Sequence, residues 1–84
     1  MKSVRFTQHA KEQCAERGAE TSEVLAAIEH RTREPAKHGR LLCRANFPFN
    51  SSWQGKLYRN KQVAPVIAEE PGEIVVITVY TFYF

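Results

Sequence analysis

The chain is 84 residues long, with twelve Lys or Arg against nine acidic residues and a formal charge of +3. Its length predicts one domain spanning 1–84 with a single modest core, and its 43% hydrophobic and 25% charged content excludes a disordered tail. Every acidic residue is Glu, and the lack of Asp argues against Asp-based metal clusters and phospho-aspartate chemistry.

The first third reads as helix. Thr7 is placed to cap a helix from about Gln8 to Arg17, ended by Gly18 in the left-handed conformation, with Ala10 and Cys14 as its narrow apolar side. Thr21 or Ser22 is expected to cap a second helix to about Arg31, burying Val24, Leu25 and Ile28. Pro35 closes the helical region, because the residue before a proline is pushed out of helical geometry.

The remainder reads as strands. From Leu41 to Phe47, Leu41, Cys43, Ala45 and Phe47 alternate with Leu42, Arg44 and Asn46. A turn at 49–52 leads to a second strand from Trp53 to Arg59, and Asn60-Lys61 turns into a third from Gln62 to Ala68. Pro65 marks that third strand as an edge or a bulge, and Pro71-Gly72 is the clearest turn. Ile74 to Phe84 is apolar on both faces, as a mid-sheet strand would be, with Val75, Ile77 and Val79 expected on the helix side. The predicted fold is α+β, with two N-terminal helices packed on one face of a four-stranded, mostly antiparallel sheet.

Charge is segregated along the chain. Residues 1–30 carry −1, residues 31–61 hold eight Lys or Arg (Arg31 among them) against Glu34 alone for +7, and residues 62–84 carry −3. Phe47, Phe49, Trp53 and Tyr58 interleave with this basic block. Cations that neutralise phosphates beside rings that stack on bases make a single-stranded RNA surface, so Arg40, Arg44, Trp53, Lys56, Tyr58 and Arg59 are candidate nucleic-acid contacts. An acidic protein partner would satisfy the same charges, and individual rings such as Phe47 and Trp53 also suit a small core.

His9, Gln13 and Arg17 stand at i, i+4 and i+8 and share a helix face. His is the side chain best suited to move a proton near neutral pH, and Arg can hold a phosphate or stabilise charge developing on it. In the last strand, Thr78 and Tyr80 present hydroxyls to the face away from the helices. His and Cys spacings fit no zinc site, and neither a Gly-rich phosphate loop nor a Walker or Rossmann pattern is present. Cys14 and Cys43 fall on apolar faces, as inert packing cysteines do. The longest uncharged apolar stretch, Ile74 to Phe84, is eleven residues, whereas a spanning helix needs about 20. With no export signal recognised, a cytoplasmic protein with reduced thiols is expected.

The pattern Phe6-Thr7-x-His9-Ala10, Glu16-Arg17-Gly18, a helix and a C-terminal Val76-Ile77-Thr78-Val79-Tyr80 strand resembles a group of small prokaryotic domains of unknown function. That group is placed with the barnase–EndoU–colicin–RelE fold, whose characterised members are mostly metal-independent ribonucleases, many of them toxins of toxin–antitoxin pairs. The resemblance implies a RelE-like architecture and carries site roles onto His9, Arg17, Thr78, Tyr80 and, more weakly, Lys61. The chain departs from the pattern at Gln13, where Arg is common, and at Ala19, where Ile is usual. The implied activity is RNA cleavage with His9 as general acid or base and Arg17, with Lys61 or Arg59, stabilising the phosphorane-like charge. The alternatives are a non-catalytic RNA- or ribosome-binding module, or a protein-interaction module held by an acidic antitoxin across residues 31–61. No metal, cofactor or membrane partner is expected.

Overall fold

In the computed structural model, which describes residues 2–30 and 32–84, the chain begins with a strand rather than a helix. The elements are β1 (Ser3–Phe6), α1 (Gln8–Arg17), α2 (Thr21–Glu29), β2 (Glu34–Pro35), a short 3-10 turn (Lys37–Gly39), β3 (Leu41–Leu42), β4 (Ala45–Trp53), β5 (Lys56–Glu69) and β6 (Glu73–Tyr83). The expected four-stranded, mostly antiparallel sheet is corrected to a six-stranded mixed sheet. Its order is β1-β6-β5-β3-β2, with β4 also paired to β5, and β1 runs parallel to β6. The broader α+β layout, with both helices on the sheet, stands.

Local signals account for the helices. Thr7 Oγ1 accepts the Ala10 N–H at 3.1 Å, and Gly18 closes α1 at φ 73°. Glycine is required there twice over, since a Cβ would lie 2.6 Å from Tyr83 Oη and 2.8 Å from Trp53. In α2 the cap position is Glu20, whose N–H is taken by the Glu23 carboxylate at 2.9 Å; Thr21 and Ser22 lie inside the helix. The expected end of that helix at Arg31 lies outside the described residues.

The strand boundaries differ from expectation for identifiable reasons. The β4–β5 turn is Gln54-Gly55, both at positive φ (50° and 82°), which suits a two-residue hairpin. The turn expected at 49–52 is instead a bulge, where Asn50 takes φ 46° and the register passes from Pro48↔Asn60 to Ser51↔Tyr58. Asn60-Lys61 is mid-strand, and β5 runs unbroken for 14 residues. Pro65 is buried rather than at an edge. It lies where β5 changes partner from β4 (Ala45↔Val63) to β3 (Leu42↔Val66), so its missing N–H falls where the neighbouring strand is interrupted.

Ala10 of α1 and Val24, Ala27 and Ile28 of α2 pack with Val63, Ile67, Ile74, Val76 and Val79 of the sheet. The β5–β6 register shifts between Val66↔Thr78 and Ile67↔Val76, leaving Ile77 as the extra residue. That bulge changes the phase of β6, so the helix side is lined by Ile74, Val76 and Val79 instead of Val75, Ile77 and Val79. Among the described residues, no helix is long and apolar enough to cross a membrane.

Candidate functional site

The C-terminal half of β6 organises the chemistry-bearing residues. β1 pairs with β6 only as far as Phe6↔Val76. Beyond that point, side chains of α1 and of its N-cap Thr7 take the place of a strand along the exposed edge. Thr7 Oγ1 donates to the Ile77 carbonyl at 3.3 Å, Gln13 Oε1 accepts the Val79 N–H at 2.8 Å, and Arg17 Nη1 donates to the Val79 carbonyl at 2.8 Å. Gln13 is only 8% exposed, so this bond replaces one that water could not supply. An Arg side chain at position 13 would have no acceptor and could not take that N–H.

Arg17 is held at both ends. Its guanidinium lies over the Tyr80 ring at 5.3 Å, while its backbone carbonyl accepts from Thr81 Oγ1 at 2.9 Å and Tyr83 Oη at 2.7 Å. Burial pushes the Tyr83 phenol above its ordinary pKa. Its ring is the hub of an aromatic cluster. Trp53 stacks on it at 4.9 Å and 15°, Phe49 lies at 5.1 Å and Tyr58 at 5.7 Å. Two of the expected base-stacking residues, Trp53 and Tyr58, therefore pack on Tyr83, and Lys56 lies over the Tyr58 ring at 5.7 Å.

Lys61 is 5% exposed. Its ammonium bonds Glu23 Oε1 at 2.8 Å and the Gly18 carbonyl at 2.9 Å, beneath the Phe49 ring at 5.4 Å. It ties the α1–α2 junction to β5. His9 is exposed in the first turn of α1, about 12 Å along the helix axis from Arg17. It lines neither of the two cavities described below. The helix-face trio thus divides into an exposed His9, a buried Gln13 and an edge-bound Arg17.

Thr78 and Tyr80 do meet, on the face away from the helices. With Lys37, His38 and Arg40 from the β2–β3 connection they line a basin of about 400 Å³ floored by Leu42 and Val66. His38 adopts φ 62°, a left-handed conformation uncommon for a residue with a side chain. Tyr80 also borders a cavity of about 210 Å³ at the β6 edge, shared with Glu16, Arg17, Trp53, Thr81 and Tyr83. Beside it Phe82 continues the outer row, ring centroids 6.5 Å apart. Arg44 is held by Glu34 at 2.7 Å and Gln62 at 2.9 Å, and Arg33 by Glu69 at 2.8 Å. Among the described residues, Lys37, Arg40, Lys56 and Arg59 have no carboxylate within ion-pair distance.

The sequence reading overlooked Phe82, Lys37 and His38 as site residues. Phe82 was accessible by parity, two residues beyond Tyr80 on the same strand face; Lys37 stood within the basic block without being singled out, and His38 gave no comparable signal. Cys43 is buried and Cys14 half-buried, and desolvation raises both thiol pKa values. For Cys43 the Arg33 guanidinium, 3.3 Å from Sγ, works against that rise. No protein-family model, curated protein or solved structure matches the chain.

Proposed function

We propose that this chain binds single-stranded RNA, alone or within a ribonucleoprotein such as the ribosome, across the outer face of its sheet. The observation that carries the reading is the solvent-facing pair Tyr80 and Phe82, 43% and 48% exposed, bordered by Arg17 on one side and the Lys37–Arg40 basin on the other. Exposed rings give bases a stacking surface, and cations without carboxylate partners attract the phosphates between them. The resemblance to a group whose characterised members act on RNA favours RNA over an acidic protein as the anionic partner. The non-catalytic form of the reading is favoured because His9 stands apart from Arg17 and because the Lys61 ammonium is already bonded to Glu23 and Gly18.

The test is fluorescence anisotropy with a short single-stranded RNA over a range of salt concentrations. Affinity should fall steeply with salt, and Tyr80→Ala with Phe82→Ala should each weaken binding by about 1–3 kcal/mol, the value of one base–ring stack. Affinity that ignores both salt and these substitutions overturns the proposal. Cleavage of the RNA in chelator, lost in His9→Ala, would replace it with the endoribonuclease reading.

A further inference from the structure

The edge of β6 is covered by α1 only in part. Asn60 and Phe84 exchange backbone hydrogen bonds in both directions, at 2.8 and 3.1 Å. In an antiparallel ladder this alternation turns the N–H and C=O of Val79, Thr81 and Tyr83 away from β5. Gln13 and Arg17 satisfy Val79. The backbone N–H and C=O of Thr81 and Tyr83 have no hydrogen-bond partner among the described residues, and the side chains of Glu16, Arg17, Trp53 and Gln54 border an open cavity beside them. The segment 77–84 carries no charge and no Pro, the devices that ordinarily blunt an edge. Three of the four exposed large hydrophobic residues among the described residues, Tyr80, Phe82 and Phe84 (43%, 48% and 55%), also stand in one row along it.

We infer that this edge pairs with the same edge of a second copy of the chain, antiparallel and centred on Phe82. In that register Thr81 faces Tyr83 of the partner subunit, and each residue donates and accepts one backbone bond. The Val79 bonds to Gln13 and Arg17 are undisturbed. Phe82 falls opposite its own copy at a non-hydrogen-bonded position, where cross-strand side chains approach most closely, and the two uncharged aromatic rows flank one another. A strand from another protein would satisfy the same backbone groups. The second copy is favoured because its segment matches both requirements at once, an unpaired backbone and an uncharged ring row. The two-fold arrangement also closes, which stops the edge from propagating into a fibre. This pairing does not depend on RNA binding; it leaves the outer ring faces open and doubles the surface that carries them.

Sedimentation velocity on the intact chain tests it. The wild type should form a dimer that dissociates on dilution. Phe82→Lys and Phe82→Glu should each be monomeric at concentrations where the wild type is dimeric, because like charges would face one another across the two-fold axis. Mixing the two variants should restore the dimer, since Lys then faces Glu. Phe82 is outside the core, and circular dichroism of each variant checks that the fold persists. Amide exchange at Thr81 and Tyr83 in the unmodified chain should slow as concentration rises. A wild type monomeric at every concentration, a variant that stays dimeric, a mixture that stays monomeric, or concentration-independent exchange overturns the inference.

Discussion

Replacing Lys61 by Met retains an unbranched stem of similar volume and deletes the ammonium. In the folded chain that ammonium lies 2.8 Å from Glu23 Oε1 and 2.9 Å from the Gly18 carbonyl, with side-chain exposures of 6% for Lys61 and 15% for Glu23. Breaking a buried pair by removing one partner costs about 3–5 kcal/mol, because the remaining charge is left desolvated. Glu23 keeps some access to water and still accepts the Glu20 N–H at 2.9 Å, which sets the expectation at the lower end, about 3 kcal/mol. For a domain of this size that corresponds to a fall in Tm of about 12–24 °C. The assay is urea and thermal unfolding followed by circular dichroism. The double variant Lys61→Met with Glu23→Gln removes the stranded charge and should recover roughly half of the loss. A loss below about 1 kcal/mol in Lys61→Met would refute the view of Lys61 as a structural tie. So would unchanged stability with RNA binding abolished, since the ammonium would then be a ligand contact.

Tyr83→Phe keeps the stack on Trp53 but loses the bond to the Arg17 carbonyl, which Thr81 also supplies, so the loss at neutral pH should be about 1 kcal/mol. The Tyr83 phenol pKa is raised by burial above its usual value of 10.0. Its contribution is therefore full below that value and lost as pH rises through the raised one; thermal melts across the alkaline range should show a shallower decline in Tyr83→Phe than in the wild type. Both cysteines, whose pKa values burial also raises, add to the alkaline decline in both proteins, so the difference between the two curves is the readout. Gln13→Ala leaves the buried Val79 N–H without an acceptor and should lower stability by about 1–3 kcal/mol. Gln13→Arg should do no better, having no acceptor to offer, and urea midpoints close to wild type for both variants would contradict the edge-capping role.

Several features were legible because they are decided within a few residues. Thr7 and Gly18 mark the ends of α1 through bonds and backbone angles internal to that helix, and Pro71-Gly72 needs no distant partner to turn. Thr78 and Tyr80 share the outer face by simple alternation, which the bulge at Ile77 leaves intact from Thr78 onward. The basic block was also plain, but its fate was not. Arg33, Arg44 and Lys61 are paired with Glu69, Glu34 and Glu23, whereas Lys37 and Arg40 line the outer basin.

Composition and local pattern thus determined an α+β chain with two helices, the first with both of its caps, a run of strands and a polar–aromatic face on the last of them. Tertiary structure alone decided the rest. β1 is four residues long, too short for a periodic signal, and becomes a strand because β6 offers it a parallel edge from the far end of the chain. One unpaired residue, Ile77, changes which apolar side chains of β6 enter the core, and no propensity encodes that shift. Lys61 resembled a catalytic cation until the fold brought Glu23 and the Gly18 carbonyl against it, and Gln13 resembled a lost one until Val79 supplied its donor. In each case a local sequence specifies what a side chain can do, while the chain brought beside it specifies whether those bonds are free for a ligand or already made.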